Sequence, residues 1–176
     1  MSAAKAIQGP GLRRQVARTV LLVGEGDSEV QWLQHVKALY VVRGCGLAVT
    51  IKNARGKGAA HVVDVTIRQS LNAAFDVKVA LLDTDTDWTE KTEAKARKGK
   101  VQVIAAEPCL EGFLLMLHGR PVDGRSSAQL KRDFLERFGA NATQADVYAK
   151  HFGKNFLDAG RACMPQLNQL LGLLTR

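Results

Sequence analysis

The chain has 176 residues, 46% of them hydrophobic, which is enough for one compact domain with its own core. No apolar run is long enough to cross a bilayer, and the first residues lack the apolar block of a secretory signal. These features predict a cytoplasmic protein without a membrane partner. The formal net charge of +8 favours a polyanionic partner, because Lys and Arg neutralise phosphates.

The first third of the chain begins with a basic segment and continues with a strand and a helix. Glycine and proline interrupt residues 1–18, which predicts a flexible leader. The aliphatic run 19–25 predicts a buried parallel strand. The helix predicted after it ends at Gly44 and is capped by Asp27 or Ser28. Its apolar stripe consists of Val30, Leu33, Val36 and Tyr40.

Strand and helix patterns then alternate until residue 120, after which only helices are predicted. The further strands are expected at 47–54, 76–85 and 101–108. The helices are expected at 61–75, around a charged Glu93–Arg97 pair, after Pro108, and at 126–139, 143–152 and 155–174. This alternation predicts an α/β fold with a mostly parallel four-stranded sheet flanked by helices. Residues 19–120 form that domain, and residues 121–176 form a helical extension packed on it.

Acidic side chains follow two of the predicted strands. Glu25 ends the first strand, whereas Asp83, Asp85 and Asp87 follow the aliphatic run 77–82 of the third. Ligands of open parallel sheets bind beyond the carboxyl ends of the strands. Residues two apart in an extended segment point the same way, so Asp83 and Asp85 face one point, and Asp87 joins them if the extension continues. Glu25 converges on that point if the first and third strands are neighbours. Clustered carboxylates suit Mg²⁺, Mn²⁺ or Ca²⁺.

Turn chemistry is the alternative interpretation of these acids. Asp and Gly are common after strands, so the segment DTDTD (83–87) would then begin a loop and cap the next helix. Three alternating acids, together with Glu25 and Glu29, favour the metal site over this interpretation.

The motifs at these strand ends resemble those of the TOPRIM domain, which topoisomerases, bacterial primases, OLD nucleases and RloB-like proteins share. The matching segments are VGEGDSE (23–29) and LLDTDTD (81–87). A third segment, AAEPCLEGFLLMLHG (105–119), resembles the RloB-like signature. It departs from that signature at Glu107, where a small polar residue is expected, and at Leu110, where an aromatic residue is expected.

The resemblance implies a Rossmann-like TOPRIM fold and metal-dependent cleavage of nucleic-acid phosphodiester bonds, in bacterial defence against foreign DNA. One or two Mg²⁺ or Mn²⁺ ions held by carboxylates supply the chemistry that such cleavage needs. Glu25, Asp83 and Asp85 match the family's catalytic acids. Glu29 and Glu111 match further acids, and Asp87 is an additional one. The candidate metal ligands are therefore Glu25, Glu29, Asp83, Asp85, Asp87 and Glu111.

Basic side chains that would contact phosphates occur in three segments. One is the glycine-rich loop 54–61, another is the charged helix after the third strand, and the last is a small basic group near residue 150. In each case an ordinary solvated surface is the alternative. The candidates are Arg55, Lys57, Lys95, Arg97, Lys98, Lys150 and Lys154.

The expected partner is a nucleic acid, DNA in preference to RNA, with a separate ATPase as in some relatives. The leucine-rich segment 166–174 is compatible with a homo-oligomer, although core packing explains it equally well. Two rival functions remain. One is a non-catalytic module that binds metal and nucleic acid. The other is a magnesium-dependent phosphatase of the haloacid dehalogenase type, in which a threonine would stand at the position of Asp87.

Overall fold

The computed structural model describes residues 16–83 and 88–175, and within them four strands form one all-parallel sheet. The order across the sheet is β2-β1-β3-β4. The predicted α/β class and the four-stranded sheet flanked by helices are confirmed. Most of the predicted leader, residues 1–15, lies outside the described residues. The strands are β1 (Arg18–Gly24), β2 (Leu47–Asn53), β3 (Val77–Leu82) and β4 (Val101–Ala105).

Helices connect the strands, and further helices follow β4. None of the helices in these described ranges is long and apolar enough to cross a membrane. Their bounds are α1 (Asp27–Tyr40), α2 (Gly58–Asn72), α3 (Glu90–Lys98), α4 (Leu110–Leu117), α5 (Ser127–Phe138), α6 (Ala145–His151), α7 (Lys154–Gly160) and α8 (Pro165–Leu174).

The sheet is covered on both faces, because successive side chains of a strand point to opposite sides. In β1, Val20 and Leu22 belong to a large apolar cluster that also contains residues of α1 and of the C-terminal helices. Leu21 and Val23 belong to a second cluster, formed with α2 and α3. Phe134 of α5 lies in the same cluster as Val20, so the C-terminal helices share the core of the sheet.

Aromatic rings attach the C-terminal helices to α1. Trp32 is fully buried, and its ring centroid lies 5.7 Å from that of Tyr148 and 5.9 Å from that of Phe152. His35 Nε2 lies 2.8 Å from the carbonyl oxygen of Phe152, within hydrogen-bond distance. This packing holds α6 against the first half of α1, which is the half that begins at the carboxyl edge of the sheet.

The beginning and end of α1 differ from the prediction. The N-cap is Gly26, so neither Asp27 nor Ser28 caps the helix. Instead, Glu29 Oε2 accepts the backbone N–H of Gly26 at 2.8 Å, which satisfies a donor that the helix itself leaves open. The helix also ends at Tyr40, four residues before the predicted Gly44.

Two further predictions about the helices are wrong. The segment predicted as one helix, 155–174, forms α7 and α8, because Pro165 has no N–H to continue a helix and instead starts a new one. In α3 the predicted Glu93–Arg97 ion pair is absent among the described residues, where Lys95 pairs with Asp64 of α2. The leucines of α8 lie in the chain's own core, as core packing predicted.

Candidate functional site

The strand order places a crevice between β1 and β3. In the sheet, β2 lies on one side of β1 and β3 lies on the other. Helix α1, which leads from β1 to β2, packs on one face of the sheet, and α2, which leads from β2 to β3, packs on the opposite face. In sheets of this kind, ligands bind outside the carboxyl ends of the strands where the order reverses. Glu25 follows β1 directly and Asp83 follows β3 directly. The fold therefore places both acids at the position where a ligand is expected.

Glu25 and Asp83 are in contact. The backbone N–H of Asp83 donates to Glu25 Oε2 at 3.3 Å, and the N–H of Glu25 donates to the carbonyl of Leu81 at 3.2 Å. β1 and β3 are therefore neighbours, as the predicted convergence of Glu25 and Asp83 required. A backbone donor holds the Glu25 carboxylate in place without neutralising its charge.

Glu29 lies in the first turn of α1 and is only 7% exposed. Burial is the main cause that raises the pKa of its carboxyl group, and the carboxylates of Glu111 and Glu25 raise it further. Hydrogen bonds from the backbone, including that of Gly26, act in the opposite direction. Glu29 is therefore both the cap of α1 and a member of a group of mutually repelling acids.

Glu111 is the second residue of α4 and is also 7% exposed. Its neighbour Cys109 is buried, and burial followed by the charges of Glu111 and Asp83 raises the pKa of the thiol to about 11. The thiol is thus protonated at neutral pH and is no nucleophile there. These mutual effects place Glu25, Glu29, Asp83 and Glu111 in one neighbourhood, which we call the acidic cluster.

The acidic cluster has the chemistry of a hard-cation site. Carboxylate oxygens are the ligands that Mg²⁺ and Mn²⁺ prefer, and a cation would relieve the repulsion among these acids. The donor set therefore fits. Yet in the described ranges no three His, Cys, Asp or Glu side chains lie close enough together to hold an ion. Asp85 and Asp87 lie outside the described residues, so their predicted roles as ligands stay predictions.

The glycine-rich loop after β2 lies beside the acidic cluster. The N–H of Gly56 donates to the carbonyl of Glu25 at 2.7 Å, and Asn53 Nδ2 donates to Asp27 Oδ1 at 2.7 Å. Arg55 and Lys57 are both exposed and have left-handed backbones, with φ of 63° and 76°. The structure therefore brings these two predicted phosphate contacts to the edge of the site.

The basic residues predicted in α3 lie away from the acidic cluster. This helix starts after the carboxyl end of β3 and ends near the amino end of β4. Lys95, Arg97 and Lys98 occupy its last turn, at the far end from the site. The Nζ of Lys78, near the amino end of β3, donates to the carbonyl of Gly99, which confirms that direction.

The basic residues predicted near residue 150 are also dispersed. Lys154 pairs with Asp158 at 2.6 Å and lies 4.8 Å from the ring centroid of Tyr40 at the far end of α1. Helix α1 has 14 residues, so Tyr40 lies about 20 Å from the end of the helix that meets the acidic cluster. Lys150 is exposed in the last turn of α6. The structure therefore places Lys154 away from the acidic cluster.

Tyr148 is a neighbour of the acidic cluster that is not among the predicted site residues. Its hydroxyl donates to the carbonyl of Ala142 at 2.6 Å and lies 3.4 Å from that of Ser28. Burial raises the pKa of the phenol, and the charges of Glu111 and Glu29 raise it further. Its position beside the cluster depends on α6 folding back onto the start of α1.

Gly24 sets how closely α1 approaches the end of β1. A Cβ at this position would lie 2.8 Å from Glu29 Cβ and 3.1 Å from the backbone nitrogen of Val30. Because backbone atoms cannot give way cheaply, we expect Gly24→Ala to lower the free energy of unfolding by about 2 kcal/mol. Urea denaturation measures this change.

Gly172 provides the matched control for Gly24→Ala. It lies inside α8, and nothing stands within 4 Å of an added Cβ. Gly172→Ala is therefore expected to raise the free energy of unfolding by about 0.5–1 kcal/mol. Equal effects of the two substitutions would contradict the close approach of α1 to β1.

Comparisons of the chain with protein-family models, with curated proteins and with solved structures gave no match. The TOPRIM resemblance therefore stays a hypothesis that depends on the segments around Glu25, Asp83 and Glu111.

Proposed function

We propose that the protein is a TOPRIM-like nuclease of the RloB-like or OLD-like branch, which cleaves nucleic-acid phosphodiester bonds with a divalent metal ion. The observation that carries this proposal is the contact between Glu25 and the Asp83 backbone, 3.3 Å long, at the carboxyl ends of two neighbouring strands. This is the place where the fold offers a crevice to a ligand.

The four acids of the cluster have different tasks in this proposal. Glu25 and Asp83, together with Asp85, would hold Mg²⁺ or Mn²⁺, and Glu25 would also exchange a proton with the attacking water. Glu29 and Glu111 would support a second ion or orient the first. A bound ion supplies an activated water and stabilises the charge on the phosphate and the leaving oxygen.

Cleavage by water fits this chain better than the topoisomerase reaction, in which a tyrosine attacks the phosphate and becomes covalently bound to it. The sequence contains two tyrosines. Burial raises the pKa of the Tyr148 phenol, and its hydroxyl is hydrogen-bonded in the interior. Burial also raises the pKa of Tyr40, whose hydroxyl donates to Asp158 Oδ1 at 2.8 Å at the far end of α1. Tyr148 is thus fully buried with its hydroxyl engaged, and Tyr40 lies away from the cluster, so neither phenol is available to attack a phosphate there.

Several parts of the proposal depend on the resemblance alone. They are a DNA substrate in preference to RNA, a role in bacterial defence, a cytoplasmic location and control by a separate ATPase. A homo-oligomer would need a surface other than the leucines of α8, which are buried in the chain's own core.

A module that binds metal and nucleic acid without cleaving is the second candidate. It is favoured by the net charge of +8, which attracts a polyanion, together with the absence of a group of three potential metal ligands in the described part of the chain, because binding to phosphates does not require a catalytic metal site. Such a module would bind phosphate-rich ligands but would show no turnover.

The test is cleavage of supercoiled plasmid, single-stranded DNA and RNA by the purified chain. We expect cutting in the presence of Mg²⁺ or Mn²⁺ and none in EDTA. The cutting activity should coincide with the protein peak in size-exclusion chromatography, which separates it from a contaminating nuclease. Nucleic-acid binding without any cutting, with either metal, would support the binding module and contradict the nuclease.

A further inference from the structure

We infer that the amino edge of the sheet binds a nucleic-acid duplex through its phosphates, at about 20 Å from the acidic cluster. The distance follows from the length of β1, because the two surfaces lie at its opposite ends. This binding site is separate from the proposed site of cleavage and does not rest on it. It consists of cations at the strand starts, which we call the basic edge, namely Arg18, Arg43, Lys78, Lys98 and Lys100.

The register of the sheet arranges these cations in a row. Arg18 starts β1, and Lys78 is the second residue of the neighbouring strand β3. Lys100 directly precedes β4, the next strand, and Lys98 ends α3 beside it. On the other side, Arg43 lies in the turn before β2, and a backbone N–H just before Arg18 donates to a carbonyl of that turn at 2.8 Å. A cation therefore lies at or beside the start of each strand of this sheet.

Positive charge dominates the segments that lead into the four strands. These segments are residues 16–18, 41–47, 73–78 and 98–101, and they contain five cations and one acid. The acid is Asp76, which accepts the N–H of Thr19 at 2.7 Å and its hydroxyl at 2.8 Å. The ion pairs at the borders of the edge add no net charge, and they are Lys95–Asp64 and Lys154–Asp158. The edge therefore complements a polyanion, whose phosphates release counterions when cations bind them.

Three cations of the basic edge are available to a ligand. Arg18 and Lys78 are half-buried, and the Nζ of Lys78 donates to the backbone carbonyl that follows α3. Arg43, Lys98 and Lys100 are exposed. Within residues 16–83 and 88–175, none of these three forms an ion pair with a carboxylate. Their charges are therefore free to meet phosphates.

The length of the row fits the backbone of a nucleic acid. Neighbouring strands of a sheet are about 4.8 Å apart, so the four strand starts span about 14 Å. One strand of a duplex advances about 3.4 Å for each phosphate, so about four of its phosphates lie along the row. Evenly spaced cations suit such a regular polymer.

The basic edge favours a duplex over a single strand. Unpaired bases bind by stacking on exposed aromatic side chains. The aromatic residue of the four segments is Phe75, which is half-buried against the core cluster of α2 and α3. A duplex also carries twice as many phosphates per unit length as a single strand. Contact through phosphates alone does not read the base sequence.

An anionic membrane attracts the same cations and is the alternative partner. Proteins that bind at a membrane surface also insert a continuous apolar face. The exposed aliphatic side chains near this edge belong to three separate segments and are Val16, Val42 and Leu71. The row of cations therefore favours the phosphates of a duplex.

The test measures duplex binding in EDTA, where cleavage does not interfere. The probe is a fluorescein-labelled DNA duplex of about 20 base pairs, or two helical turns, followed by anisotropy. We expect the double variant Arg43→Gln/Lys100→Gln to weaken binding about tenfold and to lower the slope of log affinity against log salt concentration by about 1.8. Both side chains are exposed, and glutamine tolerates the left-handed backbone of Lys100 as well as lysine does, so the fold should be kept.

Lys98→Gln and Lys91→Gln form a matched pair of single variants. Lys91 is also exposed and lies on the same helix, about two turns nearer the carboxyl edge. We expect Lys98→Gln to lower the salt slope by about 0.9 and Lys91→Gln to leave it unchanged. Because each variant removes one positive charge, a difference between them reports the position of the charge and not the net charge.

The outcomes separate the basic edge from the nuclease. Unchanged binding by the folded double variant, or equal effects of the matched pair, would overturn the basic edge, whether or not the wild type cuts. A single strand of the same length that binds as tightly would overturn the preference for a duplex. Binding to vesicles of phosphatidylserine and phosphatidylcholine, without binding to the duplex, would assign the edge to a membrane instead. Weaker binding by the double variant of a protein that never cuts would support the basic edge and contradict the nuclease.

Discussion

Glu25→Gln is expected to lower the rate of metal-dependent cleavage by about a thousandfold or more, and Asp83→Asn by a comparable factor. Each substitution removes one negative charge and keeps the size of the side chain. Glutamine also keeps an oxygen that can accept the Asp83 N–H, a contact 3.3 Å long in the wild type. The loss of activity would thus report the missing charge and not a displaced strand end.

The measurement is the single-turnover rate on the substrate that the wild type cuts best, at saturating Mn²⁺. Glu90→Gln is the control, because Glu90 is an exposed acid in the first turn of α3, near the same edge of the sheet. It should keep more than about half of the activity, as an exposed charge outside the site has a small effect. A Glu25→Gln protein that cuts as fast as the control would show that the site lies elsewhere.

Metal-free stability gives a second readout for the same variants. Glu25 contributes to the raised pKa of Glu29, so its removal relieves a repulsion. The metal-free Glu25→Gln protein should therefore unfold at the same temperature as the wild type or above it. A clear fall in that temperature would indicate a structural role for Glu25 instead.

Trp32→Ala is expected to lower the free energy of unfolding by about 3–5 kcal/mol, which is a large part of the stability of a domain of this size. Trp32 is fully buried, and its ring lies against those of Tyr148 and Phe152. Removing the indole would leave a cavity between α1 and α6, which the surrounding rings fill only in part. The interior would lose both apolar burial and aromatic contacts.

Urea denaturation, followed by far-ultraviolet circular dichroism, measures this loss. Leu71→Ala is the control, because Leu71 is 79% exposed near the end of α2. Its removal should change the free energy of unfolding by less than about 0.5 kcal/mol. A loss below about 1 kcal/mol for Trp32→Ala would contradict the packing of the C-terminal helices on α1.

Local pattern alone predicted the class of the fold and the positions of its strands. Apolar runs bounded by glycine, acid or proline correspond to all four strands, because buried parallel strands need continuous apolar sequence. The same logic placed Glu25 and Asp83 at strand ends. Their chemical type, together with the alternating acids Asp85 and Asp87, was enough to suggest a cation site.

Local pattern was insufficient where a residue's role depends on a distant segment. Glu29 was predicted as a metal ligand only, whereas its carboxylate also caps α1 through Gly26. The cations of α3 were expected beside the site, but the direction of the helix carries Lys98 to the opposite edge of the sheet. The residue types of a helix do not indicate this direction. A helix that connects two parallel strands must run from the carboxyl edge of the sheet back to its amino edge.

The chain alone indicates that two of its strands end in acids and that it carries excess positive charge. Which acids meet follows from the fold, because β3 pairs with β1 and so brings Asp83 to Glu25. The fold also decides which cations share a surface, since Arg18 and Lys78 lie at the starts of neighbouring parallel strands. The sequence specifies which residues are present. Which of them come into contact depends on the burial of apolar faces that lie far apart along the chain.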